Sequence, residues 1–427
     1  MHKANQRNLV NASLTTTTAA AASILVAIML MIPSSSYFGA VTEEGWMKAY
    51  GQITPPSQLQ EQQQGGGGGA GGGGGQAITL NGAGATFPFP LIDTWRVEYQ
   101  SVNPSVSINY QSIGSGGGVR QFTERTVDFG ASDAPLTQEE MQALSSSTPV
   151  HIPETIGSVV AAYNLPGIDK GLKLTGPILA DIFAGKITRW DDQRIRELNS
   201  ELSLPAADIT VVHRSDGSGT TFIWTSYLSQ VSPEWNQTTG AGKSVQWITG
   251  LGAQGNEGVS NTVLSTPNSI GYVELTYALT TDMDYASLMN REGNFVEPTL
   301  ESTRAAAEAA IMMNSSTGTT AANTTGGTAI SLPAGDQSWT HVSLLDAPGA
   351  NSYPIASFSY LLLYKELNTN INAMDKAQAL AQFVNWAITD GQQFASQLHY
   401  VPLPDSVVQH NQQTLRSLTF NGQPVLQ

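Results

Sequence analysis

Ten glycines broken only by Ala70 follow a glutamine run in PPSQLQEQQQGGGGGAGGGGGQ, Pro55–Gln76. Such a stretch has almost no side chain to bury and a large backbone entropy to lose, so it cannot join a packed structure. The folded body must therefore begin near Ala77. Residues 41–76 read as a flexible tether spanning on the order of 30–35 Å. Upstream, Lys3 and Arg7 precede AAAASILVAIMLMI (Ala19–Ile32), an uncharged stretch too short for an ordinary membrane span and typical of a signal-peptide core. Residues 1–40 are thus expected to be a signal peptide or an N-terminal membrane anchor. The bulky Phe38 in FGA (Phe38–Ala40) leaves cleavage and retention both open. Either outcome exports the chain.

The remaining composition excludes whole classes of chemistry. The chain has 427 residues and no cysteine, so disulfides, thiolate catalysis, Cys-ligated metals and a lipid anchor on cysteine are ruled out. The six histidines show no metal-site spacing, and neither metal nor cofactor is expected. A formal charge of -15 argues against nucleic acid as a partner, because phosphate backbones demand excess Lys and Arg. Hydrophobic content of 40% supplies a sizeable core.

Beyond Gln76 strand-like and helix-like stretches alternate, which implies an α/β architecture. Strands are expected in SVSINYQSIG (Ser105–Gly114), DITVVHRS (Asp208–Ser215) and SYPIASFSYLLLY (Ser352–Tyr364), and a strand or strand–helix junction in SIGYVELTYAL (Ser269–Leu279). Helical spacing appears in Gly176–Trp190, Thr220–Val231 and Met374–Ile388. The stretch 314–333 is poor in bulky apolar residues and reads as an exposed insertion. Asn236, Asn314 and Asn323 sit in N-x-S/T patterns, which suit a secreted surface.

Three segments share one design: GAGATFPFP (Gly82–Pro90), SIGSGGGVRQF (Ser112–Phe122) and RSDGSGTTF (Arg214–Phe222). In each, glycines precede a helix start with Ser or Thr beside it. Helix N-termini hold unpaired N–H groups and partial positive charge, which suit a small anion. Each segment alone is equally an ordinary helix cap, and spacing does not show that the three converge. Arg214 suits bidentate anion contact, or a plain salt bridge. Asp133 in VDFGASDAP (Val127–Pro135) is an acceptor, or a turn residue before proline. QTTGAGKS (Gln237–Ser244) lacks the first glycine of a nucleotide P-loop and follows no buried strand. Ser218 stands outside any G-x-S-x-G elbow, and His213 should point away from Arg214, so no catalytic set emerges.

In family order, the segments GAGATFPFP, NYQSIGSGGGVRQF, TVDFGASDAPL, VVHRSDGSGTTF, SIGYVE and VPLPDSVV, from about Leu80 to Val408, resemble the phosphate-binding proteins of the phosphate ABC importer, the PstS family. The resemblance implies a periplasmic-binding-protein-like fold: two α/β lobes joined by two crossover strands with a ligand cleft between them. Lobe one would comprise 77–157 and 353–427, and lobe two 158–352. Phosphate contacts are implied from Thr86, the N–H of Phe87, Ser115, Asp133, Arg214, Ser218, Gly219 and Thr220, with Asp216 orienting Arg214. The implied protein is a monomeric, non-enzymatic receptor at the extracellular face of the cell membrane or in the periplasm, touching the membrane only through its N-terminal segment. It would deliver inorganic phosphate to permease subunits served by a separate ATPase. A carboxylate at Asp133 can only accept, so it would favour an anion that still carries a proton over sulfate. Two competing readings are a phosphate-ester hydrolase using Ser218 and a surface adhesion or sensory protein on the same fold. The cysteine-free, glycine-tethered N-terminus and the 314–333 insertion depart from common bacterial members.

Overall fold

The computed structural model describes residues 77–144, 146–311 and 332–426. The expected leader (1–40), the tether (41–76) and nearly all of the 314–333 insertion lie outside the described residues.

One nine-stranded sheet organises the chain, in the order β2-β1-β3-β9-β4-β7-β5-β6, with β8 also on β4. These strands are β1 (Ile78–Gly84), β2 (Val106–Ser112), β3 (Phe129–Ser132), β4 (Pro149–Asn164), β5 (Thr210–Arg214), β6 (Leu251–Ala253), β7 (Ser269–Glu274), β8 (Asp284–Tyr285) and β9 (Ala356–Tyr364). Parallel pairing joins β1 to β2 and β3 on one side, and β5 to β6 and β7 on the other. Between the two groups, β9 and β4 run antiparallel to their neighbours. Helices α1 (Phe89–Val102), α2 (Ser115–Thr123), α5 (Gly219–Val231) and α6 (Gly255–Ser265) follow β1, β2, β5 and β6 respectively. Between them lie α3 (Gln138–Ala143) and α4 (Gly176–Phe183), and after them α7 (Leu275–Thr280), α8 (Met374–Ala387) and α9 (Asp405–Arg416). This is the two-lobed α/β architecture.

The strand that joins the halves is β4. Its residues Pro149–Ser158 pair with β9, and Val159–Asn164 pair with β7. All of its positions except Asn164 are buried. A strand covered on both faces carries no polar–apolar alternation, so PVHIPETIGSVVAAYN has no period-2 signal and the sequence reading passes over it.

Elsewhere the expected elements form, most with shorter ends, while the helix expected over Thr220–Val231 begins one residue earlier at Gly219. The helix expected over Gly176–Trp190 stops at Phe183, because Gly185 turns the chain at φ +69°. Ile187 and Trp190 are buried all the same, so their apolar spacing reflects loop burial rather than helix. Residues Ser269–Leu279 split into β7 and α7 at Glu274, whose carboxylate caps Thr276.

The helix–strand packing near the first strands is close. A Cβ on Gly118 in α2 would lie 2.4 Å from Gly84 Cα and 2.8 Å from the Ala131 and Ala83 carbonyl oxygens. These are backbone atoms and cannot rotate aside. Gly118→Ala should therefore cost roughly 1–3 kcal/mol through overpacking. Urea denaturation measures this, and an unchanged midpoint would contradict the packing described.

Candidate functional site

Strands β1, β2 and β3 run opposite in direction to β5 across the sheet, and the chain leaves the carboxyl ends of β1, β2 and β5 directly into helices. Ligand crevices of open α/β sheets form at such carboxyl ends. The three glycine-rich segments meet there. Ser115 Oγ accepts from the N–H of Gly219 at 3.0 Å and from the N–H of Asp133 at 3.2 Å. Arg214 Nη1 donates to Thr86 Oγ1 at 3.2 Å and to Thr220 Oγ1 at 3.4 Å. Gly116 N–H donates to the Gly217 carbonyl at 2.8 Å. Only glycine fits at 219, where a Cβ would sit 2.4 Å from Asp133 Oδ2. All eight residues singled out from the sequence are buried at this convergence.

Their side chains have distinct duties. Phe87 turns its ring into the core beside Tyr400, so its backbone is what it offers the site. Among the described residues the N–H groups of Phe87, Ser115 and Thr220 donate to no protein acceptor. They lie at or just before helix starts, where intrahelical acceptors do not exist. Ser218 caps α5 by accepting from Thr221 N–H at 3.0 Å.

Arg214 is the cation of the site, with its side chain 1% exposed. Asp216 grips it twice, Nε to Oδ1 at 2.7 Å and Nη2 to Oδ2 at 2.5 Å. Burial pushes the Asp216 carboxyl upward, but the guanidinium outweighs it and the group stays below its ordinary value. Nη1 is left facing Thr86 and Thr220. Asp133 is buried more deeply. Desolvation pushes its carboxyl up to about 7, against the hydrogen bond from Ser359, the charge of Arg214 and the hydrogen bond from Ser115.

Three participants escape the sequence reading. Asn256 Nδ2 donates to Thr86 Oγ1 at 2.8 Å and to Thr220 Oγ1 at 3.2 Å. Tyr277 OH donates to the Thr86 carbonyl at 2.6 Å. Ser359 Oγ lies 2.8 Å from Asp133 Oδ1. A signal for Asn256 existed: LGAQGNEGV (Leu251–Val259) is a fourth glycine-bearing turn into a helix, with Gly255 at φ +71°. Tyr277 and Ser359 sit in ordinary apolar contexts and carry no such mark.

A hydrolytic triad does not assemble. His213 stacks on Trp247 at 4.7 Å, and its Nδ1 lies against the Arg214 carbonyl. Asp216 is engaged by Arg214, and Ser218 by its cap. Lys243 of the P-loop-like stretch pairs with Glu140 at 2.5 Å. Among the described residues no group of three or more His, Asp or Glu could hold a metal ion.

Residues 46–390 match the family model described as a PBP superfamily domain. The chain is similar to the phosphate-binding protein PstS of Pasteurella multocida, 44% identical over 335 residues, covering 78% of this chain and 89% of that one. It is also 40% identical over 343 residues to the PstS of the archaeon Methanocaldococcus jannaschii, covering 77% and 84%. Among solved structures, a phosphate-binding protein from Stenotrophomonas maltophilia superposes with a TM-score of 0.57 at 19% identity, covering 78% of this chain and 92% of its own. A putative phosphate transporter substrate-binding protein from Clostridium perfringens with bound phosphate gives 0.52 at 18% identity, covering 76% and 100%. At these identities the structural likeness speaks for the fold.

Asp216→Ala would leave the Arg214 charge buried without its carboxylate. Removing one partner of such a pair is expected to destabilise the protein by about 3 kcal/mol or more. Equilibrium denaturation reads this directly, and a loss below about 0.5 kcal/mol would mean that Arg214 finds other compensation.

Proposed function

This chain belongs to the PstS family of phosphate-binding proteins, and from that premise we propose that the convergence around Arg214 is where it captures inorganic phosphate. The observation that carries the proposal is the chemistry of the donor set. One guanidinium nitrogen, three unpartnered N–H groups and the hydroxyls of Thr86, Ser115 and Thr220 surround the buried Asp133 carboxyl. The family works as the substrate-binding component of an ABC importer.

Phosphate near neutral pH is a mixture of monoanion and dianion, and both forms still carry a proton. Fixed dipoles and one cation stabilise the charge in a poorly screened site. Asp133 accepts the ligand's proton. Sulfate has no proton to give, so it leaves a buried acceptor unsatisfied at a cost of roughly 1–3 kcal/mol, with repulsion added. Ser218, Gly219 and Thr220 approach from α5, Thr86 and Phe87 from the turn before α1, and Ser115 from α2.

The binding segments come from both sides of β4, and the boundaries proposed for the lobes (77–157 with 353–427, and 158–352) place the site between them. Closure would then form the Gly116–Gly217 backbone bond and the Lys243–Glu140 ion pair together. Among the described residues no catalytic base contacts Ser218, which supports a binding role over ester hydrolysis. Among the described residues no helix is long and apolar enough to cross a membrane. We place the monomeric receptor outside the cytoplasm, held or released by its N-terminal segment, with permease and ATPase as separate chains.

Isothermal titration should give tight phosphate binding and negligible sulfate binding at pH 8. Asp133→Asn, whose amide can donate, should shrink the phosphate preference by at least tenfold. Lowering the pH through about 7 should shrink it in the wild type as well, because a protonated Asp133 becomes a donor toward sulfate. Equal binding of both anions by the wild type at pH 8 would sink the assignment of Asp133. In stopped-flow measurements Lys243→Ala should release phosphate about twofold to fivefold faster, with the difference fading in high salt. An unchanged release rate would remove the ion pair from the closing contacts.

A further inference from the structure

Two buried carboxyl groups share one hydroxyl beside the site. Ser359 Oγ lies 2.8 Å from Asp133 Oδ1 and 2.9 Å from Glu154 Oε1. Ser359 and Glu154 are 0% exposed and Asp133 is 1% exposed. A hydroxyl owns one hydrogen and two lone pairs, so it can donate to only one of two carboxylates. If both were ionised, one contact would press a negative oxygen against a lone pair in a site closed to bulk solvent. One carboxyl must therefore carry a proton and donate to Ser359.

The backbone shows how Glu154 reaches this position. Along the β4–β9 ladder Thr155 pairs with Ser359 and Pro153 pairs with Tyr360, so Glu154 is the extra residue at the register shift. A bulge of this kind re-aims a side chain, here toward the serine on the neighbouring strand. The carboxyls differ in their other partners. Asp133 has Arg214 and the Ser115 hydroxyl acting on it. Glu154 Oε2 is buried with no hydrogen-bond partner. The charged and titratable groups around the pair are few. Asp133 faces Glu154 through Ser359, the Tyr110 hydroxyl from β2 is affected by both charges, and Glu274 from β7 lies on the side of Asp133. On β4 itself, burial pushes His151 down to about 4 and leaves it neutral.

We propose that Glu154 is a neutral positioning residue, donating its proton to Ser359 so that Ser359 donates to Asp133 Oδ1 and leaves Asp133 Oδ2 as the acceptor that reads the ligand. Oδ2 is the oxygen beside Gly219, on the wall contributed by α5. The chain of bonds runs in one direction, from Glu154 to Ser359 to Asp133, and Oδ2, which takes only a long 3.4 Å bond from Ser115 Oγ, keeps a lone pair for a ligand proton. The arrangement also keeps a second negative charge away from a dianion. Burial pushes Glu154 up to about 8, with the charge of Asp133 adding to the rise and Ser359 opposing it. The sign of the pH effect follows. A bound dianion favours the protonated form, so the contribution of Glu154 to affinity is full below about pH 8 and is lost as rising pH strips its proton in the free protein. Binding above that pH takes up a proton.

The inference rests on the phosphate reading, and the experiment separates the two. Calorimetry of full-length protein with inorganic phosphate is run from pH 7 to pH 9, in buffers of different ionisation enthalpy. The wild type should lose roughly threefold to tenfold in affinity between pH 7.5 and 9 while taking up part of a proton at pH 8.5. Glu154→Gln, which keeps a donor and cannot ionise, should hold its affinity within about twofold over that range. Absence of proton uptake by the wild type at pH 8.5, or a Glu154→Gln profile that superimposes on it, overturns the proposal while leaving phosphate capture intact. Should Glu154→Gln fail to fold, the wild-type proton uptake decides alone. A wild type that binds no phosphate defeats the phosphate reading instead. In that case the carboxylic-acid infrared band at pH 7.5 still tests the proton's position: loss in Asp133→Asn with persistence in Glu154→Gln would put it on the wrong carboxyl.

Discussion

A guanidinium that is 1% exposed must be compensated before anything else in its neighbourhood can be stable, and in this protein Asp216 provides that compensation two residues away. The geometry of the pair decides what remains. One edge of the guanidinium, Nε with Nη2, is spent, and Nη1 is left aimed between Thr86 and Thr220. A dianion entering there meets a cation already neutralised by its own carboxylate, so most of its stabilisation has to come from N–H and O–H dipoles. Three helix starts supply them at short range. The protein's -15 formal charge acts from farther off and is screened beyond about 8 Å in physiological salt.

The sheet makes this convergence possible. The parallel groups on either side of the β9–β4 pair run in opposite directions, so their carboxyl ends approach from opposite halves, and β4 belongs to both groups because it changes partner after Ser158. The same strand carries the bulge at Glu154, so the element that links the halves also sets a polar contact behind Asp133. Mechanical and electrostatic roles thus fall on neighbouring residues of one strand. Asn256 and Tyr277 tie Thr86 to α6 and α7, which fastens the first glycine-rich turn to elements more than a hundred residues away.

Much of the site was legible because its residues are local to conspicuous turns. Thr86, Ser115, Arg214 and Ser218 each stand next to glycines that lead into a helix, and that pattern is visible in a window of nine residues. Ser359 and Glu154 were not legible. Each sits inside an apolar strand, and a lone polar residue in such a strand has no periodicity to mark it. The long strand β4 was missed for a related reason, since burial on both faces erases the alternation that identifies a strand. The helix expected to run to Trp190 ended early because core burial in a loop imitates helical spacing over a few residues.

By itself the sequence determined that strands and helices alternate beyond Gln76, that cysteine chemistry is absent, and which turns can present N–H groups to an anion. These are properties of composition and of short windows, where propensity and backbone freedom act locally. The tertiary structure decided that the turns meet, that Arg214 keeps Nη1 clear of Asp216 and aimed at Thr86 and Thr220, and that two buried carboxyls contact one Ser359 hydroxyl. Those facts depend on which strand lies beside which and on the loss of water around charge, and neither is encoded within any one stretch of chain.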